Sequence, residues 1–349
     1  MTGNSKHLHR SAWKCPSNIA LVKYWGKRDF QKPMNPSLSF VLQNAFTETS
    51  VELHKDSEQK VTFYFDEQKS PFGERIEKYL EYVSGKLPWI SKYNFTIYSK
   101  NSFPHSAGIA SSASSFGALA LCLTELDFSF AGKPIETADF WKEASELARL
   151  GSGSACRSVY SGFSIWGQTQ LFESSSDDFA IRLTDGVSPI FQGLRDAILL
   201  VDSGKKEVSS SAGHQLMEQH IYQRSRIAQA TENVNELYLA LISGDQQKFI
   251  QVVEAEALSL HAMMMTSNPS FILLKPNSLE IMNRIRRFRE KTQILVCFTI
   301  DAGPNIHLLY FQENELDVKA FINRELLQFC EDRNWIDDCI GSGPEKLTN

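Results

Sequence analysis

Four short stretches of this chain bring together residue types that can do chemistry. Pro104-His-Ser-Ala-Gly-Ile-Ala-Ser-Ser-Ala113 follows a predicted strand and runs straight into a predicted apolar helix. Gly108 and the small residues let the backbone approach a polyphosphate closely, while hydroxyls and the free N–H groups of a helix start face the anion. A helix terminus contributes up to about 2 kcal/mol when partly buried, so it positions a phosphate rather than supplying all the affinity. No Gly-Lys-Ser/Thr follows, so this is not a Walker loop. The same residues also serve as a close-packing helix start.

Lys23-Tyr-Trp-Gly-Lys-Arg28 puts three cations and two aromatics in six residues, which suits a polyanionic or carboxylate ligand. It equally suits a strand end with solvated cations, and Lys27 and Arg28 are read as surface charges. Gly151-Ser-Gly-Ser-Ala-Cys-Arg157 follows a helix, and its Gly/Ser alternation offers an anion-binding turn ending in an Arg whose planar fork matches a carboxylate. A helix cap followed by a flexible linker is the plainer reading. Asp301 ends a β-run in an Asp-Ala-Gly-Pro turn, a spelling that usually means only a hairpin. Lys205 to Ser211 is a basic, hydroxyl-rich turn of the kind that forms exposed loops. The eight histidines form no H-E-x-x-H or other ligand cluster, which argues against zinc. His261 on an apolar helix reads as a packing residue, and the following Met263 to Met265 as core or site lining.

The elements that must position these groups alternate in the first half. Residues 50–53, 61–65 and 95–98 have a period near two and predict strands. Helices are predicted over 112–126, apolar nearly all round and so buried, and over 138–150, with Phe140, Trp141, Ala144, Leu147 and Ala148 on one face. Short strands follow at 163–166, 170–172 and 180–183, with a surface turn over 174–178. From about residue 190 the pattern becomes a strand at 197–201 and then a helix with Ile227, Ala230, Val234, Leu237 and Leu241 in three-four spacing, closed by Gly244. Asp245 is the predicted N-cap of the next helix. A helix over 279–290, a hairpin of 294–300 with 306–311 and a last helix over 316–330 complete a split β-α-β order.

At 349 residues the chain has room for two closely packed domains with a ligand cleft between them, and neither repeats nor a long linker interrupt it. Apolar residues make up 42% and charged residues 22%, an ordinary globular balance. A formal charge of -5 without a Lys/Arg block argues against a nucleic-acid partner, and no apolar run approaches the roughly 18 residues of a membrane span. Residues 1–14 read as a loose polar arm without a secretory core. The six scattered cysteines read as reduced thiols of a cytosolic protein.

The glycine-serine loop resembles the phosphate loop of the GHMP small-molecule kinase superfamily, Pro-x-x-x-Gly-Leu-x-Ser-Ser-Ala, with Ile109 in the Leu position. The fuller resemblance is to the diphosphomevalonate decarboxylase family. It is carried by Asn18-Ile-Ala-Leu-Val-Lys-Tyr-Trp-Gly-Lys-Arg-Asp29, Asn101-Ser-Phe-Pro104, Gly151-Ser-Gly-Ser-Ala-Cys-Arg-Ser158 and Asp301-Ala-Gly-Pro-Asn305, in that order over nearly the whole chain. The resemblance implies an α+β GHMP kinase fold. A ribosomal-protein-S5-like domain would cover residues 1–190 with the phosphate loop, and a ferredoxin-like domain 191–349 with the catalytic aspartate. It also implies a cytoplasmic homodimer of the mevalonate pathway that uses ATP and Mg2+ to convert mevalonate diphosphate to isopentenyl diphosphate.

The chemistry explains the mixture of parts. A 3-hydroxy acid loses carbon dioxide only if the hydroxyl departs, and hydroxide is a poor leaving group. Phosphorylating that alcohol makes a good one, so kinase parts must stand beside a carboxylate clamp. By resemblance Asp301 orients and deprotonates the 3-hydroxyl, close to Lys23, whose charge keeps the carboxylate ionised. Arg157 holds the carboxylate that will be lost. Tyr24, Ser152 and Ser154 contact substrate with Asn18 nearby; Arg75 matches a position that reaches the diphosphate, and Ser209 and Ser210 are secondary candidates. Pro104, Ala107, Gly108, Ala110, Ser111 and Ser112 would hold the nucleotide, with Ser112 at the metal.

The chain departs from the family where Met34 and Pro36 replace hydroxyl residues in Lys32-Pro-Met-Asn-Pro-Ser-Leu-Ser39, and where His105 replaces a common Thr. Three rival readings are a kinase of the same superfamily, a decarboxylase specific for the monophosphate, and a ligand-binding regulator on a kinase-like fold. Joint retention of Asp301, Lys23 and Arg157 argues against the kinase and the regulator.

Overall fold

The computed structural model describes residues 8–55, 59–104, 109, 111–183, 186–202, 204 and 210–348. Its first half contains strands β1 (His9–Val22), β2 (Ser37–His54), β3 (Val61–Phe65) and β4 (Gln68–Lys69), helix α1 (Gly73–Val83) and strand β5 (Asn94–Asn101). Helices α2 (Ser111–Phe130) and α3 (Ala138–Gly151) and strands β6 (Phe163–Trp166) and β7 (Ala180–Leu183) follow. The second half has α4 (Pro189–Gln192), β8 (Leu194–Leu199), α5 (Ser210–Gln215), α6 (Gln223–Ser243), α7 (Gln246–Met265), α8 (Pro276–Thr292), β9 (Val296–Thr299), β10 (Ile306–Phe311), α9 (Glu315–Phe321), β11 (Trp335–Cys339) and β12 (Glu345–Lys346).

Two sheets result. The larger runs β12-β1-β2-β5-β3-β4, with β6 joining β2 and β7 joining β6. The smaller, β11-β8-β10-β9, is antiparallel throughout, and its fourth-first-third-second order is the split β-α-β arrangement. From Ala45 to His54, β2 alternates buried and half-buried positions, because one face lies on the helices and the other meets water. Helix α2 fills that inner face. It is buried nearly all round, and it lies so close to β1 that a Cβ on Gly117 would stand 2.5 Å from the Cys15 sulfur.

Predicted caps appear where local chemistry demands them. Gly244 ends α6 at φ 78°, a left-handed conformation that favours glycine, and the Asp245 side chain accepts the Lys248 N–H at the start of α7. The two halves are tied by Asp338 on β11, whose carboxylate accepts N–H groups of Gln43, Asn44 and Ala45 in β2. The chain end also returns to the first sheet, where β12 pairs with β1.

Three expectations are corrected. Residues 9–14 are not a loose arm: they open β1, with the Trp13 indole donating to Glu125 at 2.7 Å and the polar Arg10 and Lys14 on the outer side. The segment 170–172 is a turn, held by Leu171 N–H to the Thr169 hydroxyl and by the Ser175 hydroxyl to the Thr169 carbonyl, local bonds that compete with a strand ladder. The last helix keeps α-geometry only to Phe321 and then widens into a π-turn, Ile322–Leu326, that buries both Ile322 and Leu326. All six cysteines are free thiols, five of them buried.

Candidate active site

Lys23 leaves β1 just beyond its last ladder residue and turns into the crevice between the two sheets. Its Nζ donates to Asp301 Oδ1 at 2.8 Å, with the lysine side chain 2% exposed and the aspartate 25%. The turn beyond Lys23 needs Gly26, which has φ +88° and whose absent Cβ would stand 2.6 Å from the Met34 sulfur. Met34, one of the three departures from the family pattern, is thus packed under this turn. Between Met34 and Pro36, Asn35 donates through Nδ2 to the Lys23 carbonyl at 3.0 Å.

Asp301 stands between β9 and β10 in a turn closed by Gly303 N–H donating to the Asp301 carbonyl at 2.7 Å. His261 on α7 meets the same carbonyl through Nε2 at 3.2 Å. Burial lowers the His261 pKa to about 4, so the ring is neutral, and the nitrogen facing a carbonyl carries the proton. His261 therefore braces the aspartate's turn, a contact that its apolar helix context concealed. The methionines after it divide: Met263 and Met264 pack with Trp25, Met217 and Leu260, while Met265 is exposed.

Arg157 arrives from another direction, at the end of a tight turn over Gly153–Arg157 that follows α3. It is 2% exposed, donates through Nη1 to the Ser37 hydroxyl at 2.6 Å and through Nε to Asn18 Oδ1 at 3.2 Å, and lies over the Trp166 ring. Asn18 in turn donates to the Ser154 carbonyl and the Ser158 hydroxyl. Burial pulls the guanidinium pKa down, and nearby Asp301 pulls it back up. Among the described residues Arg157 has no carboxylate in salt-bridge contact. A buried cation without a counter-ion is costly and suits an anionic ligand.

Tyr24 reinforces this. Its hydroxyl is buried without a hydrogen-bond partner among the described residues, its ring stacks edgewise on Trp166, and a Cβ on Gly153 would stand 2.8 Å from the phenol oxygen. His214 lies against both Tyr24 and Trp25 and accepts the Gly26 N–H at Nδ1; burial, with Lys27 and Arg157 nearby, lowers its pKa to about 3. Lys27 is half-buried rather than a surface charge, and burial together with Arg75 lowers its pKa. Its flanking charges hid this, because Lys27 and Arg28 read alike in sequence, yet only Arg28 points outward, to Asp177.

A cleft of about 470 Å3 opens at the start of α2, lined among others by Phe63, Phe65, Ile97, Phe116 and Leu119 and by Ser111 and Ser112. Nothing in the spacing of these apolar residues announced it, since they come from three separate elements. The Ser112 hydroxyl is 3.2 Å from that of Ser152, which joins the helix start to the Gly/Ser turn. Arg75 lies at the rim of this cleft with its guanidinium over the rings of Phe72 and Phe116. The structure thus brings together Lys23, Asp301, Arg157, Asn18 and Tyr24, sets Ser152 and Ser154 beside them, and puts Arg75 with the cleft.

Pro104 precedes the cleft, while His105, Ala107, Gly108, Ala110 and Ser209 lie outside the described residues and Ser210 opens α5. The free N–H groups of a 20-residue helix, a serine hydroxyl and an apolar cleft fit a nucleotide with its phosphates at the helix start. Among the described residues no three His, Cys, Asp or Glu side chains gather to hold a metal. A magnesium ion here would rest on phosphate oxygens, water and the Ser112 hydroxyl, as Mg2+ commonly does. No helix is long and apolar enough to cross a membrane among the described residues.

Residues 15–179 match the family model described as the diphosphomevalonate decarboxylase-like N-terminal domain, and residues 197–344 match that of the mevalonate 5-diphosphate decarboxylase C-terminal domain. The diphosphomevalonate decarboxylase of Debaryomyces hansenii is 31% identical over 334 residues, spanning 90% of this chain and 83% of that protein. The mevalonate diphosphate decarboxylase of Staphylococcus aureus superposes with a TM-score of 0.84 at 29% identity, covering 97% of this chain and 98% of that one. MDDEF in complex with MVAPP, AMPPCP and magnesium superposes with a TM-score of 0.83 at 27% identity, covering 97% and 99%.

Proposed function

This chain belongs to the diphosphomevalonate decarboxylase family, and from that membership we propose how its crevice carries out the ATP-dependent decarboxylation of mevalonate 5-diphosphate to isopentenyl diphosphate. The observation that carries the reading is the convergence of the Lys23–Asp301 pair with a buried Arg157 that has no carboxylate in salt-bridge contact among the described residues.

Asp301 accepts the proton of the 3-hydroxyl as that oxygen attacks the terminal phosphoryl group of ATP. Lys23, already 2.8 Å away, stabilises the negative charge that develops around the reacting oxygens. Arg157 holds the substrate carboxylate by its fork, with Asn18 and Ser37 fixing the plane of the guanidinium. When the 3-phosphate leaves, electrons from the carbon–carboxylate bond form the alkene, and carbon dioxide is released. Tyr24, Ser152 and Ser154 line the substrate, and Lys27, close enough to Arg75 to feel its charge, adds positive charge for its diphosphate. Magnesium, when bound, screens the phosphate oxygens of the nucleotide. Ser111, Ser112 and the apolar cleft receive ATP, and by family resemblance Pro104, Ala107, Gly108 and Ala110 contribute to holding it.

A division near residue 190 is supported by the boundaries of the two matching family models. A homodimer is proposed on family resemblance. A cytoplasmic location is proposed on the six free thiols, which suit a reducing compartment.

The test is a coupled assay that follows carbon dioxide and ADP together, with mevalonate diphosphate and with the monophosphate. Equal yields of both products, with the diphosphate preferred, are expected. ADP without carbon dioxide would make the protein a kinase, and preference for the monophosphate would reassign the substrate.

A further inference from the structure

Resting on that reading, we propose that Glu256 and Arg226 form a positioning pair for the reaction: they fix the Lys23 peptide and, through it, the ammonium at Asp301. Strand β1 ends at Val22, so the ladder no longer holds the main chain of Lys23. Side chains do so instead. Glu256 Oε2 accepts the Lys23 N–H at 2.8 Å, and the Lys23 carbonyl accepts from Asn35 at 3.0 Å and from Arg226 Nη2 at 3.3 Å. Glu256 is held in turn by Arg226 through Nη1 at 2.9 Å and Nη2 at 2.5 Å, and by Asn233 at 2.6 Å.

The pair lies between α6 and α7, with Glu256 0% and Arg226 2% exposed. An ion pair so deep is a poor stabiliser: two charges lose their water, and apolar residues of similar volume are often as stable or more so. These helices already share an apolar contact through Ala230, Val234, Phe249 and Val253. The pair also leaves the buried Arg226 Nε without a partner among the described residues, a cost that packing alone would not select. What it supplies is a donor and an acceptor at the Lys23 peptide. A four-carbon side chain hangs from that peptide, so a shift of the peptide moves the ammonium away from Asp301, and misplacement of about 1 Å can cost a hundredfold in rate.

Three variants separate positioning from folding. Arg226→Met with Glu256→Leu removes both charges and the acceptor; Arg226→Met with Glu256→Gln removes the charges but keeps a carbonyl for the Lys23 N–H; the third is Lys23→Met. The Met/Leu pair is expected to melt no lower than the native protein, while kcat falls about tenfold to a hundredfold and the KM for ATP stays unchanged. The Met/Gln pair should recover most of that loss at the same melting temperature. In a Lys23→Met background, adding the Met/Leu pair should lower kcat no further.

A crystal structure of the Met/Leu variant supplies a readout independent of activity: the Lys23–Asp301 contact should open beyond hydrogen-bonding distance. If that contact persists, or the Met/Leu pair turns over within threefold of native, the positioning role is overturned. Equal loss from the Met/Leu and Met/Gln pairs, or further loss in the Lys23→Met background, overturns it as well. Native enzyme that releases no carbon dioxide with ATP would overturn the functional reading, while the crystallographic contact still decides the positioning role.

Discussion

Replacing Asp301 by Asn keeps the shape of the side chain and removes its charge. In the native pair the ammonium is 2.8 Å from the carboxylate, with 2% of the lysine side chain and 25% of the aspartate side chain exposed. At that separation the Coulomb attraction is about 6 kcal/mol for an effective dielectric of about 20, before desolvation is subtracted. Breaking a wholly buried pair by removing one partner costs about 3–5 kcal/mol, and the exposed quarter of Asp301 reduces this to about 2–3 kcal/mol. Loss of a general base adds about 3–5 kcal/mol to the barrier, a rate loss of about a hundredfold to ten-thousandfold. Asp301→Asn should therefore unfold at lower urea, bind ATP as before and release carbon dioxide at least about a hundredfold more slowly. Lys23→Met added to it removes the stranded cation, so stability should recover while turnover does not. The assay is carbon dioxide release per folded enzyme, with ATP affinity measured separately by calorimetry. Turnover of Asp301→Asn within about tenfold of native would refute its role as the base.

Gly153→Ala places a Cβ 2.8 Å from the Tyr24 hydroxyl and 2.9 Å from the Trp166 ring, so the phenol must move; the KM for mevalonate diphosphate should rise about tenfold, with that for ATP unchanged in steady-state kinetics. Ser112→Ala removes a hydroxyl bonded only to Ser152 among the described residues, so melting without ligand should barely change. Native protein should gain about 2.7 kcal/mol with ATP and magnesium at a hundred times Kd, and the variant distinctly less at the same concentrations, read by thermal shift. His261 is held neutral, with a pKa of about 4 against an ordinary 6.5, so the unfolded chain takes up its proton first as pH falls. Its contribution is therefore complete above about pH 6.5 and is lost as pH falls toward 4, with about 2 kcal/mol gone by pH 5. His261→Gln should remove that share of the loss between pH 8 and pH 5 in urea melts.

Much of the fold was legible because its signals are local. The apolar α2, the Gly244 cap, the Asp245 N-cap and the hairpin that ends in Asp301 each depend on residues a few positions apart. Residues 9–14 misled because Arg10 and Lys14 suggest a polar arm, whereas Trp13 between them is wholly buried under a helix more than a hundred residues away. Composition records polarity, and only alternation across the formed sheet tells which side each residue faces.

The chemistry divides in the same way. Four motifs in family order pointed to the reaction class from the sequence alone: by local spelling Lys23, Arg157 and Asp301 read equally as a strand end, a cap and a hairpin turn, and the family resemblance gave them their roles. Tertiary structure alone decided that Lys27 turns inward, that His261 braces the aspartate's turn, that Phe63, Ile97 and Phe116 form one cleft, and that Glu256 grips the Lys23 peptide. Each depends on residues remote in sequence meeting at a few ångströms, and that distance is set by the packing of two sheets and their helices, which no local spacing encodes.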